Sequence, residues 1–326
     1  HYPLRRQRQM CIRDSYPEER NVRSKSYITI VNKGEKPIDS LHYSLIYFIE
    51  DGANGLELKK SQWKKSLTIP NSKLVYNDAD LGYVIYKLDT PLLPHTTMKI
   101  KVETNYTSKG FENTFSNLRV VKNGTFFDSF YILPSFGYEA YNEIMDANDR
   151  KEYGLQPRIP IKKLTTNNAT DLEENYISGK TADWVQIETV ISTSANQTAI
   201  APGTLVKQWI EDDRAYFSYK NDHASLNFTN FMSAQYEVAR KKWNGIDIEV
   251  YYHKSHDYNI DIMQDAVEKS LQYYTENFGP YFHNQARIIE IPKYYNFSQA
   301  FPGTMPYTEG GGFITNLSDK NDNNVI

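Results

Sequence analysis

The chain has 326 residues, 40% hydrophobic and 24% charged, a composition that can bury a core and that excludes a disordered chain. A net charge of −3 and a pI near 6.2 give no basic excess, which excludes a nucleic-acid surface. No run of about 18 apolar residues is present, so nothing in the sequence reads as a membrane-spanning helix, and the length suits two domains.

The first segment in chain order, residues 1–15, reads HYPLRRQRQMCIRDS and differs in character from the rest of the chain. It carries four Arg, one Asp and the only cysteine, Cys11. Its composition breaks abruptly after Ser15, and it resembles translated sequencing-adapter sequence. It is therefore expected to be a non-native segment, disordered and dispensable. Setting it aside takes the net charge from −3 to −6 and leaves no cysteine, so disulfide and thiolate chemistry drop out.

Residues 16–252 read as a β domain. Apolar-rich runs at 27–31 and 41–49 flank a turn around Gly34 and Pro37. Further strand-like runs cover 82–88, 97–106, 184–191 and 234–243. A small helical insertion is expected near 141–153. In 246–252, Ile246, Ile248, Val250 and Tyr252 alternate with Asp247, Glu249 and Tyr251, the period of a half-buried strand. Many short strands with turns between them imply a large antiparallel β-sandwich.

The pattern changes after residue 252. Met263, Val267, Leu271, Tyr274 and Phe278 recur at helical spacing, and Gly279-Pro280 closes the run. Residues 287–291 then read as a strand. A helix followed by a strand opens an α/β unit over 253–326. The fold class is mostly β followed by α/β.

Few residues carry chemistry by motif. There is no Gly-x-Ser-x-Gly elbow and no phosphate-binding glycine loop. His253 and His256 form His-x-x-His at a strand end, but no third ligand lies near them in sequence, and a turn is the simpler reading. No metal site is assigned. The remaining stretch is QAFPGTMPYTEGGGFITNL, where Glu309 stands alone before Gly310, Gly311 and Gly312. Glycines let a ligand backbone come close. The strand-like run 312–317 would offer an edge to an extended peptide, and Glu309 would meet its positive end.

PYTEGGGFI resembles the Gly-x-Met-Glu-Asn loop of zinc aminopeptidases related to aminopeptidase N. Pro306 stands at the Gly, Thr308 at the Met, Glu309 at the Glu and Gly310 at the Asn, followed by Gly312-Phe313-Ile314; Glu309 and Gly312 match strictly. APGTLVKQW, YYTENFGPYF, RIIEIP, FPGTMPYTEGGGF and LPSFGY resemble a bacterial subgroup in which such a peptidase is fused to a membrane permease. The resemblance implies a saddle-like β domain over 16–252 and, over 253–326, the incomplete start of a thermolysin-like catalytic domain.

It also implies peptide substrates with a free N-terminus, bound by Glu309 with Tyr307, Gly310, Gly311 and Gly312, and a covalent permease fusion outside this chain. An upstream Gln of the family has no clear counterpart, Asn123 lying near its place. The complete protein would use zinc. None of the seven His is followed by Glu, so the His-Glu-x-x-His motif is absent. The chain is accordingly expected to be an inactive N-terminal-side portion that binds no catalytic zinc. The alternative is a non-catalytic peptide-binding or docking β module of a membrane protein.

Overall fold

The computed structural model describes residues 4–44, 63–78, 82–108, 119–137, 144–158, 184–294 and 298–316. Its strands in chain order are β1 (Leu4–Tyr16), β2 (Asn21–Asn32), β3 (Ile38–Ser44), β4 (Trp63–Thr68), β5 (Ser72–Asp78), β6 (Tyr83–Leu92) and β7 (Thr97–Thr107). Then come β8 (Val120–Val121), β9 (Gly124–Asp128), β10 (Ser135–Phe136), β11 (Trp184–Ser194), β12 (Thr198–Ile200), β13 (Thr204–Glu211) and β14 (Arg214–Lys220). The last are β15 (Ser225–Leu226), β16 (Asn230–Ala234), β17 (Glu237–Trp243), β18 (Ile246–Tyr252), β19 (Gln285–Ile291) and β20 (Met305–Thr308). Helices are α1 (Ser129–Ile132), α2 (Ala147–Glu152) and α3 (Ile260–Phe278).

The large sheet runs β13-β14-β11-β1-β2-β7-β4, and a second runs β10-β3-β6-β5. Alternate residues of β2 and β7, including Ile28, Ile30, Ile100 and Val102, meet Leu41, Tyr43, Val84 and Leu88 of the second sheet in one core. This is the expected sandwich, because each strand turns one apolar face inward. A third sheet, β12-β16-β9-β8, joins it to the C-terminal unit.

The C-terminal sheet runs β17-β18-β19-β20. The pairs β18–β19 and β19–β20 are parallel. A parallel pair needs a crossover, and α3 supplies the one between β18 and β19. The helix buries Met263, Val267 and Leu271 against Ile248, Val250 and Ala286. Gly279 ends it at φ 113°, a left-handed value suited to glycine. Tyr274 and Phe278, expected on the same buried stripe, are exposed. The helix has 19 residues and β19 has 7, so the helix is about 28 Å long and the strand about 23 Å, and the last turns overhang the sheet.

Because β17 and β18 pair into this sheet, it straddles the division expected at 252–253. Phe126, Ile200 and Met232 of the third sheet pack on Tyr251, Ile289 and Ile291, which joins the two units. Arg287 fastens the same junction. Its Nε donates to Glu249 Oε2 at 3.1 Å, and Nη2 and Nη1 donate to the carbonyls of Gly203 (2.9 Å) and Ala201 (3.3 Å).

Two expectations are corrected. The disordered arm over 1–15 is instead β1 from Leu4, parallel to β11 on one side and antiparallel to β2 on the other. Backbone pairing on both edges holds it, which composition does not reveal. The strand-like run at 312–317 is instead preceded and entered by a five-residue π-helical turn, Glu309–Phe313, in which the Ile314 amide donates to the Glu309 carbonyl at 3.1 Å. Three successive glycines have no β-branched side chain to favour extension. The helical insertion near 141–153 corresponds to α2, started by the Asp146 carboxylate on the Asn148 and Asp149 amides. Residues 45–49, 141–143 and 317 of the expected elements lie outside the described residues. No helix among the described residues is long and apolar enough to cross a membrane.

Candidate functional site

In open sheets with parallel strands, ligands sit outside the carboxyl ends of the strands. Here three such ends converge. His253 and His256 follow β18, Glu290 sits near the end of β19, and Glu309 comes directly after β20. Together with Asn123, Gln235 and Tyr236, from the connections that follow β8 and β16, they line a cavity of about 370 Å³.

Glu290 is the most enclosed of these groups, at 6% exposure. Its Oε2 accepts from the His253 amide at 2.6 Å and its Oε1 from His256 Nδ1 at 2.5 Å. Burial pushes its carboxyl above the usual range; the His253 amide and His256 pull it back, and the charge of Glu309 adds to the rise. The rings of His253 and His256 are 5.0 Å apart. Tyr236 donates its hydroxyl to the Glu290 carbonyl at 2.9 Å, and burial holds that phenol well above its usual range.

Glu309 is half-buried, and its Oε1 accepts from the Lys293 amide at 3.1 Å. One ligand atom each from His256, Glu290 and Glu309 lie within 4.8 Å of one another. The glycines behind Glu309 have separate reasons. A Cβ on Gly312 would stand 2.6 Å from Tyr307 Cε1 and 2.8 Å from Met263 Cε, so only glycine packs there, whereas Gly310 faces open space. Asn259 Nδ2 donates to the carbonyls of Gly312 (2.6 Å) and Thr315 (2.7 Å), which ties the turn to the start of α3.

The residues singled out from sequence thus separate. Glu309 reaches the cavity. Tyr307 packs with Met263 and Phe313 beneath the glycine turn, and Gly310, Gly311 and Gly312 form that turn beside the cavity. Asn123 also lines the cavity, its Oδ1 accepting from the Gln235 amide at 2.7 Å. The next residue, Gly124, permits this approach, since a Cβ there would stand 2.3 Å from Pro292 Cγ. Glu290 is the residue that sequence reading missed. The available signal was a carboxylate inside the apolar run RIIEIP, where a strand buried on both faces should carry none.

The residues do not fit the zinc of a thermolysin-like enzyme. No His is followed by Glu, and the one His–carboxylate cluster among the described residues offers a single histidine, whose Nδ1 is bonded to Glu290. A wall with two carboxylates and a free carboxylate oxygen suits an organic cation.

No protein-family profile and no curated protein sequence matches the chain. Solved structures do. Crystal structures of an M1 zinc metallopeptidase from Deinococcus radiodurans superpose with a TM-score of 0.60 at 11% identity, over 93% of this chain and 60% of theirs for a mutant bound to a Tyr-Ser-Ala substrate. A second structure of an M1 zinc metallopeptidase from Deinococcus radiodurans gives 0.60 and 11% over 93% and 59%. A two-domain M1 zinc metallopeptidase mutant bound to L-tryptophan gives 0.59 and 10% over 94% and 60%. The fold is that of the N-terminal region of these peptidases, and the chain spans about 60% of their length.

Proposed function

We propose that this chain is the substrate-recognising N-terminal portion of a zinc aminopeptidase, and that its cavity receives the free amino end of a peptide. The placement of Glu309 carries the reading. It follows the last parallel strand, its Oε1 is held by the Lys293 amide, and its other oxygen has no hydrogen bond among the described residues and can meet a cation at the cavity. The ammonium of a peptide N-terminus supplies that cation. The peptide backbone then passes the open side of Gly310, while Tyr307 supports the turn from below. The arrangement restricts recognition to the first residue, because an internal peptide bond has no charge to offer Glu309.

The likeness to peptidases of the same fold supports this reading, including one bound to a tripeptide. Hydrolysis is assigned to the complete protein, whose metal ligands are not residues of this chain. The chain alone is expected to bind without cleaving and to hold no stoichiometric zinc. The permease fusion gains no support from the fold or the comparisons and forms no part of the reading.

Steady-state kinetics of the complete protein test it, on peptides with free and acetylated N-termini. A charged hydrogen bond contributes about 1.5–3 kcal/mol, so Glu309→Ala should lower kcat/KM for free-amine peptides roughly 10- to 100-fold. Acetylated peptides should be poor substrates and change little. An unchanged preference for the free amine in Glu309→Ala would refute the assignment.

A further inference from the structure

Glu290 needs an account that the motif around Glu309 does not supply. It stands on β19 among Ile288, Ile289 and Ile291, at 6% exposure. A buried carboxylate is costly unless its charge is met. Its two hydrogen bonds use one lone pair on each oxygen, and a carboxylate has about four such sites. Glu290 lines the same cavity as Glu309. The two carboxylates and His256 have ligand atoms within 4.8 Å of one another. Residue parity explains the proximity. β19 and β20 pair with Ile291 opposite Thr308, so Glu290 and the residue after Thr308 emerge on one face near one end of the sheet.

We infer that Glu290 is a second binding carboxylate for the ligand's ammonium group, sharing it with Glu309, and that His256 is a positioning residue that orients Glu290. An ammonium has three donors. One carboxylate with a single free oxygen uses one of them, and a second carboxylate across the cavity corner takes another. The inference rests on the reading of Glu309 as the amine site and extends it to residues outside that loop. A purely structural role for Glu290, as the anchor of the 253–256 turn, is the competing account.

The test uses the 326-residue chain, L-leucinamide and N-acetyl-L-leucinamide as probes, and NMR titration near neutral pH, where an α-amine with pKa about 7.7–8.0 is mostly charged. Wild type should bind the free amide and not the acetylated one. Glu290→Gln keeps the shape and a carbonyl for the His253 amide but removes the charge. It should weaken the free amide roughly tenfold, the scale of one charged hydrogen bond, with the melting temperature unchanged. His256→Asn should weaken it less.

If Glu309→Gln weakens the free amide and Glu290→Gln does not, this inference fails and the amine site at Glu309 stands. If wild type does not distinguish the two probes, both fail. A zinc titration is the third arm: stoichiometric zinc that competes with leucinamide and is lost in Glu290→Gln would make the cluster a metal site and overturn the inference.

Discussion

Arg287→Met removes a buried polar tie at the junction of the C-terminal unit with the rest of the fold. The arginine is 4% exposed. Its loss leaves Glu249, whose side chain is 14% exposed, without its buried partner, and leaves the carbonyls of Ala201 and Gly203 without a donor. Breaking a buried ion pair from one side costs about 3–5 kcal/mol. Part of that is offset here. Arg240 Nε still stands 3.1 Å from Glu249 Oε1, and the Tyr251 hydroxyl still donates to Oε2 at 2.9 Å. Arg240 is 65% exposed, so its share is small. The expected loss is about 2–4 kcal/mol. Urea unfolding followed by tryptophan fluorescence measures it. With a slope of about 1–3 kcal/mol per molar, the midpoint should fall by roughly 1 M or more. Arg287→Lys should recover only part, because an ammonium cannot reach a carboxylate and two carbonyls in the guanidinium's planar geometry. A midpoint within about 0.3 M of wild type would mean that the apolar contacts of Phe126, Met232 and Ile289, with the Thr304–Asn230 hydrogen bond, hold the junction without Arg287.

Deleting residues 1–15 should abolish cooperative unfolding, since β1 pairs along both of its edges; a chain starting at Tyr16 that melts with the full-length protein would show that β1 is dispensable. Arg13→Met should stabilise the fold by about 1–2 kcal/mol, seen as a higher melting temperature, because a buried charge with incomplete hydrogen bonding is replaced by an apolar side chain of similar length. Burial pulls Lys65 down to about 7, with Asp128 opposing and Arg6 adding to the shift. The unfolded chain therefore holds this proton between about pH 7 and 10.4 when the folded chain does not, so this group's contribution to stability rises with pH across that window and Lys65→Met should flatten the rise in a pH series of melts.

The sandwich was legible because strands with one buried face alternate, and 27–31, 97–106 and 184–191 fall inside β2, β7 and β11. β1 was not, and the reason is physical. Its alternation is inverted: Arg6, Gln9 and Arg13 point inward while Met10 and Ile12 are 38% exposed. Arg13 Nη1 reaches Ser24 Oγ at 2.7 Å and its guanidinium lies 3.8 Å from the Phe231 ring centroid, but Nε and Nη2 have no hydrogen-bond partner. A slip of one residue would exchange the two faces. The strand position is set by β2 and β11, which need a neighbour between them, and the residues filling it are a poor match.

The site divides in the same way. Glu309 could be singled out because its loop is contiguous, with three glycines beside one carboxylate. The pairing of Glu290 with His256 could not, since 34 residues and a whole helix separate them; the odd carboxylate in RIIEIP marks Glu290 without naming its partner. His253 and His256 read as a turn, and the His256 amide does donate to the His253 carbonyl at 2.7 Å, but the local segment is silent about β19 and β20. What brings the groups together is the rule that consecutive parallel strands present their carboxyl ends on one edge. Once α3 is taken as a crossover, residues just after β18, near the end of β19 and just after β20 must meet. A carboxylate or histidine at such a position can therefore be nominated from a strand–helix–strand pattern alone. In this chain that procedure returns His253, Glu290 and Glu309 from strand ends.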